Sequence, residues 1–297
     1  MTEQDEGAVV EVFPPVLSVV LPARNEAAAV GTTVAAIRRL YPEAEVIVVD
    51  DGSSDATGQV AEAAGARVVT HPCSKGNGAA IKTGARAAKG AVMVFMDADG
   101  QHDPADIPRL LAKLDEGYDM VVGARDRASQ ASLGRRFANA FYNRLASYMT
   151  GHLVQDLTSG LRAVRADRFR EFLYLLPNGF SYPTTSTMAF FRAGYGVAYV
   201  PIQAARRIGK SHIHLFKDGV RFLLIIFKIG TLYSPLKLFG PVALLLFTLA
   251  TLWYGHTLLE DGRFTNMSAL LYTGSVITFM MGLISEQITA LMYKDKA

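Results

Sequence analysis

Between residues 16 and 125 the chain alternates two hydrophobic rhythms. Short apolar runs recur: VLSVVLP (16–22), the first half of AEVIVVDDGSSD (44–55), ARVVTH (66–71), AVMVFMD (91–97) and DMVVGAR (119–125). Runs of this length read as buried strands. Stretches of helical length separate them, the first from about Glu26 to Leu40, and Ser54 or Asp55 stands where it can cap the helix after the second run. This alternation predicts βαβ units and a mostly parallel α/β sheet. Such sheets collect ligands at the carboxyl ends of their strands. The polar ends PARNE, DDGSSD and DADGQH therefore converge on one crevice.

After Gly123 the rhythm breaks. Residues 124–149 are arginine-rich and then helical, and QDLTSGLRAVRAD (155–167) is polar and turn-like; together they are expected to form a loop and helix covering the crevice. Residues 212–233 place Lys217, Arg221 and Lys228 on one helical face, with Leu, Ile and Phe opposite. That pattern predicts an amphipathic helix lying in a membrane interface, with Ser234-Pro235 marking a break after it. Two long apolar stretches follow, 238–255 and 267–293, joined by the polar loop HTLLEDGRFTN. Both are long enough to cross a bilayer, at roughly 20 residues per crossing. Lys237 before the pair and Lys294 and Lys296 after it put the basic flanks on one side, which is cytoplasmic by the positive-inside tendency. The expected layout is a disordered lead-in (1–15), a cytosolic α/β unit (16–211), an interfacial helix (212–233) and a two-helix transmembrane unit (234–297) in the cell membrane. Glu286 in the second stretch has two readings, a residue facing a partner or one at the headgroup boundary.

Composition changes the picture in two places. The chain of 297 residues is 50% hydrophobic with a formal net charge of +3, too slight to argue for nucleic acid. Its distribution says more. From Arg206 to Lys237 seven basic residues face one acid, Asp218, a cluster suited to an anionic membrane surface. Cys73 is the single cysteine, which excludes an internal disulfide. Residues 2–11 are acidic and polar, without a signal-peptide pattern. Two nucleotide motifs are rejected: GNGAAI (76–81) puts Ile81 where a third small residue belongs, and GKS (209–211) has Ala204 where a P-loop needs its first glycine.

The chemistry concentrates in VFMDADGQHDP (94–104). Asp97 and Asp99 sit at the tip of an apolar run with only Ala98 between them. Carboxylates this close repel unless something positive lies between them, although a solvated strand-end turn would use the same residue types.

VVLPARNEAAAVGTTV, VIVVDDGSSDAT, KGNGAAIKTGARAAKGAVMVFMDADGQHDP and VVGAR resemble the inverting, GT-A-fold family 2 glycosyltransferases. DLTSGLRAVRAD, RRIGKS and the two apolar stretches narrow the resemblance to polyprenyl-phosphate glycosyltransferases, the group of dolichol-phosphate mannose synthase and bacterial undecaprenyl-phosphate sugar transferases. The resemblance runs from about residue 16 to the C-terminus. It implies a Rossmann-like GT-A sheet and transfer of one glucose- or mannose-type sugar from a GDP- or UDP-sugar to polyprenyl phosphate. Asp97, Asp99 and Gln101 then match the ligands of a divalent cation, Mg²⁺ or Mn²⁺, held against the donor diphosphate, with Asp99 catalytic. Pro22, Arg24, Glu26, Asp51 and Ala98 match positions lining the nucleotide-sugar. Lys75 matches a basic position facing the nucleotide, an exposed loop lysine being the alternative. His102 is a further candidate ligand, with exposure in a turn preferred. Arg125, Arg135, Arg136 and the R-x-x-G-x-S residues Arg206 and Ser211 match acceptor-phosphate positions, and arginine forks suit phosphate. Asp156 heads DLTSG and is either a general base or a positional residue. Arg162 and Arg165 are open between phosphate binding and pairing with nearby acids. A processive polysaccharide synthase shares the DxD domain, but its Q-x-x-R-W signature is missing, since the only tryptophan is Trp253. A non-catalytic membrane-tethered nucleotide-binding scaffold is the third class. The resemblance leaves a homo-oligomer open.

Overall fold

The structure is a computed structural model and describes residues 16–125, 133–179, 181–203, 227, 230–231 and 233–294. The expected lead-in, Arg206, Ser211 and the stripe Lys217, Arg221 and Lys228 lie outside the described residues.

Seven strands form one sheet: β1 (Leu17–Ala23), β2 (Glu45–Asp50), β3 (Arg67–Thr70), β4 (Val92–Phe95), β5 (Met120–Arg125), β6 (Arg162–Arg165) and β7 (Val197–Ile202). Their order is β3-β2-β1-β4-β6-β5-β7. The β1–β2, β1–β4, β2–β3 and β5–β7 pairs are parallel, and β6 runs antiparallel between β4 and β5. The five expected strands are present, and β6 and β7 are additions. The expectation of a covering loop over 155–167 is thereby corrected, because Arg162–Arg165 is an interior strand. The first helix is also shorter than expected: α1 is Val30–Leu40, and Glu26 opens its lead-in turn by accepting the Ala29 and Val30 amides at 3.0 and 2.9 Å.

Side-chain alternation divides the core into two layers. Val20, Ile47, Val49, Met93 and Phe95 face α3 (Asn77–Ala87), α6 (Ala166–Arg170) and α7 (Tyr182–Arg192). Val19, Leu21, Val46, Val48 and Val94 face α1 and α4 (Ile107–Asp115) on the other side. Between α1 and α3 lies α2 (Thr57–Ala63), and α5 (Leu133–Thr150) follows β5.

Two long helices close the chain, α8 (Pro235–Asp261) and α9 (Asn266–Lys294). Both are long and apolar enough to cross a membrane, over Pro235–Glu260 and Asn266–Leu291. They pair as a hairpin in which Ser275 donates to the Ala243 carbonyl at 2.8 Å and Gly282 lies against Phe239. Leu244, Leu252, Ile277 and Ile284 point outward, exposed. The open end of the hairpin meets the sheet domain. There Tyr233 donates to the Thr185 carbonyl at 2.9 Å, Lys237 to the Met149 carbonyl at 2.9 Å, and Arg192 pairs with Glu286 at 3.3 Å. Glu286 thus pairs within its own chain, with a residue of the sheet domain, and Lys237 lies on the domain's side of the hairpin.

Candidate active site

The loops after β1, β2 and β4 and the end of β5 meet at the carboxyl edge of the sheet, as alternation implied. Two of them are tied directly. Asn25, at a left-handed φ of 56°, turns its side chain to accept the Ser54 amide at 2.8 Å, while its own amide donates to Ser53 Oγ at 3.0 Å. Pro22 is buried in β1, Arg24 is exposed and Glu26 is half-buried. Asp55 accepts the Thr57 amide at 3.0 Å, but the N-cap of α2 is Ala56, which corrects the expectation that Ser54 or Asp55 caps this helix.

Asp51 is buried and fully engaged. Oδ1 meets His71 Nδ1 at 2.7 Å and the Lys75 amide at 2.8 Å; Oδ2 takes Ser74 Oγ and the Gly76 amide, both at 2.8 Å. A carboxylate has about four acceptor positions, so this one holds the 74–76 loop. Burial opposes its charge, but the bonds from His71, the two amides and Ser74 outweigh burial and bring the carboxyl down to about 2. Lys75 itself is exposed.

Past β4 the chain carries Asp97 and Asp99 out of the core. The Asp97 side chain keeps 34% exposure, and Asp99 is 9% exposed with Oδ1 accepting the Gln101 amide at 3.1 Å. Ala98 between them is buried. His102 is buried too, at 6%, which corrects the expectation of an exposed turn residue. Its Nε2 lies 3.7 Å from Asp97 Oδ2, within ion-pair range and beyond a hydrogen bond. Burial raises the Asp97 carboxyl, but His102 and the nearby charges of Arg125 and Arg162 outweigh it and hold the carboxyl below its usual range. Among the described residues no three His, Cys, Asp or Glu side chains group to hold a metal ion by themselves. Two carboxylates and an amide fit a hard cation that shares its shell with phosphate oxygens.

The third wall is cationic. Arg125, at the end of β5, forks onto Asp156, with Nε to Oδ2 at 2.8 Å and Nη2 to Oδ1 at 3.0 Å, and Nη2 also reaches Thr158 Oγ1 at 2.6 Å. Burial opposes both charges and the pairing outweighs it, lowering the Asp156 carboxyl and raising the Arg125 guanidinium. Arg135 and Arg136 lie in the first turn of α5, and their side chains are outside the described set. One residue of the site escaped sequence reasoning: Gly160, whose Cα abuts the Asp97 carboxylate. Arg162 is fully buried, with its guanidinium on the Pro183 and Ser159 carbonyls and Ser186 Oγ.

This arrangement has known counterparts. The model of glycosyl transferase family 2 matches residues 18–173, just over half of the chain. The chain belongs to glycosyl transferase family 2. A second model, the GtrB C-terminal hairpin, matches residues 234–291, the α8–α9 pair. The dolichyl-phosphate hexose transferase of Haloferax volcanii is 32% identical over 205 residues, covering 68% of this chain and 89% of that one. An undecaprenyl-phosphate 4-deoxy-4-formamido-L-arabinose transferase of Edwardsiella ictaluri is 31% identical over 291 residues, covering 92% of this chain and 88% of that one. Glucosyl-3-phosphoglycerate synthase of Mycobacterium tuberculosis, crystallised with Mn²⁺ and UDP-glucose, matches with a TM-score of 0.58 and 27% identity, over 71% of this chain and 77% of that one. The family 2 sheet, the GT-A likeness and the glycosyltransferase class agree with the reading from sequence.

Proposed function

We propose that this glycosyltransferase moves one hexose-type sugar from a GDP- or UDP-sugar to a polyprenyl phosphate at a membrane, with inversion at the anomeric carbon. The observation that carries the reading is a DxD crevice and an apolar hairpin on one chain, docked together through Tyr233, Lys237 and the Arg192–Glu286 pair. The lipid-phosphate transferases among its relatives support the acceptor, and the UDP-glucose-bound relative supports the donor class. The hairpin spans the bilayer in this reading. Its open end, with Lys237 and Lys294, sits on the cytoplasmic side beside the catalytic domain.

The donor occupies the crevice between Pro22, Arg24 and Glu26 on one side and Asp97 to Gln101 on the other, with Lys75 at its rim and Asp51 fixing the loop that carries Lys75. Asp97, Asp99 and Gln101 hold Mg²⁺ or Mn²⁺, which supplies charge neutralisation for the departing diphosphate. The acceptor phosphate is met by Arg125, by Arg135 and Arg136 at the start of α5, and by Arg206 and Ser211. Its second pKa of about 6 leaves it largely dianionic at neutral pH, so it attacks without needing a strong base. Asp156, held charged and forked by Arg125, orients that guanidinium. Nucleophile and leaving group approach opposite faces of the sugar, and alignment supplies a large part of the rate.

The test is transfer of labelled sugar to polyprenyl phosphate by the full chain in detergent, with proton and phosphorus NMR of the product. An α-linked donor should yield a β-linked lipid phosphate sugar. Asp99→Asn should reduce transfer by about 10²-fold or more, and chelator should imitate it until Mg²⁺ or Mn²⁺ is restored. A retained linkage, product on protein or on a growing polysaccharide, or full activity without divalent metal would overturn the proposal.

A further inference from the structure

Arg162 is wholly buried, yet none of its hydrogen bonds goes to a carboxylate. Nη1 donates to the Pro183 carbonyl at 3.0 Å and Ser186 Oγ at 2.7 Å, and Nη2 donates to the Ser159 carbonyl at 2.7 Å. Its Nε is buried without a partner, and its Cζ lies 5.6 Å from the centre of the Tyr182 ring. Burying a guanidinium whose hydrogen bonds go to neutral groups is unfavourable, and the Asp97 and Asp156 charges offset this only from beyond hydrogen-bond range. A position that keeps one there calls for a reason beyond packing.

The geometry of Ser159 and Gly160 supplies it. Both carbonyls are held: Ser159 by Arg162, and Gly160 by the Tyr182 hydroxyl at 3.4 Å. The bare Cα between those carbonyls faces Asp97. A Cβ built on Gly160 would collide with Asp97 Oδ2 and stand 2.9 Å from its Cγ, so only hydrogen fits beside the carboxylate as it is set. Arg162 pairs across the sheet with Phe95, two residues before Asp97 in the chain. Arg162 is therefore tied through its guanidinium to α7 and to the Ser159 carbonyl, and through its backbone to the strand that delivers Asp97.

We propose that Gly160 and Arg162 are positioning residues for Asp97. Gly160 is the shelf against which the carboxylate is set, and Arg162 clamps that shelf to α7. Divalent-cation affinity depends on both. The inference rests on the metal reading given above and adds two residues that never touch the cation.

Gly160→Ala separates positioning from folding. The atoms its methyl meets belong to the end of one short side chain, which can swing aside while the backbone stays. Binding is read on the full chain in detergent from loss of the free Mn²⁺ electron paramagnetic resonance signal, with UDP and separately with GDP present. Gly160→Ala should weaken Mn²⁺ binding by about tenfold or more, with a metal-free melting temperature within about 2 °C of the parent. Raised Mn²⁺ should recover its transfer activity, which it would not do for a folding defect. Arg162→Lys keeps the charge and loses the fork, and should weaken Mn²⁺ binding while also lowering the melting temperature. Parent-like Mn²⁺ binding by Gly160→Ala would overturn this inference and leave the metal reading intact. A parent that binds no Mn²⁺ would overturn both.

Discussion

Asp51 shows how far a single residue can be read from sequence. From sequence it was matched only as a position lining the nucleotide-sugar, whereas both its oxygens are taken up within the chain. Which partners it takes was not legible: His71, Ser74 and the Lys75 and Gly76 amides lie 20 to 25 residues further along the chain. Its carboxyl sits near 2 rather than its ordinary 3.8. Stability from a depressed acid is complete above the unfolded value and fades as pH falls through the folded one. Asp51 should thus contribute about 2 kcal/mol at neutral pH, lost between roughly pH 4 and pH 2. Asp51→Asn should lower the melting temperature at pH 7 and lie closer to the parent at pH 2.5. Calorimetry across that range checks it, and a constant gap between the two proteins would refute it. Arg162 was less legible still, since nothing local distinguishes an arginine under a site from one on a surface.

Among the elements, strands β1 to β5 were readable because each is an unbroken apolar run between turn residues. Two strands were not. LRAVR carries an arginine at each end of β6, and only the burial of Arg162 in a neutral pocket on α7 lets it stand inside a sheet. VAYVPI holds Pro201, which a central strand excludes, and β7 tolerates it as the edge strand beyond β5. Because β6 is antiparallel, the 156–161 segment before it returns to the carboxyl edge and brings Asp156 against Arg125. In the proposed function the fork makes Asp156 an orienting group, since a carboxyl held low is a weak base. Asp156→Asn should raise KM for polyprenyl phosphate about tenfold, the ~1.4 kcal/mol of one weakened charge-assisted bond, with nucleotide affinity unchanged. The acid limb of kcat near pH 6, set by the acceptor phosphate, should persist in the variant. Loss of that limb would identify Asp156 as the base instead.

For the whole molecule, the sequence announced a hairpin by length and lack of charge, yet it gave Glu286 two readings and could not say how the hairpin meets the domain. That contact joins residues 94 positions apart, Arg192 at the end of α7 and Glu286 in α9. The same carboxylate accepts the Leu236 amide at 3.4 Å, and Arg192 donates to the Tyr233 carbonyl at 2.6 Å. A cavity of about 420 Å³ opens beside them, lined by Met149, Met188, Arg192, Lys237 and Glu286 among others, so the pair spans a loosely filled joint. The other end of α7 bears the Pro183 and Ser186 groups that hold Arg162, so one helix ties the hairpin to the shelf under Asp97. The two side chains are 28% and 30% exposed, which limits their coupling to about 1 kcal/mol. A double-mutant cycle of Arg192→Ala and Glu286→Ala, read by denaturant unfolding of the full chain in detergent, should return that coupling. Each single variant should also speed hydrogen exchange in the last turn of α7 while leaving UDP and GDP binding unchanged. Additive single effects, with a coupling within about 0.3 kcal/mol of zero, would mean that Tyr233 and Lys237 alone fix the hairpin to the domain.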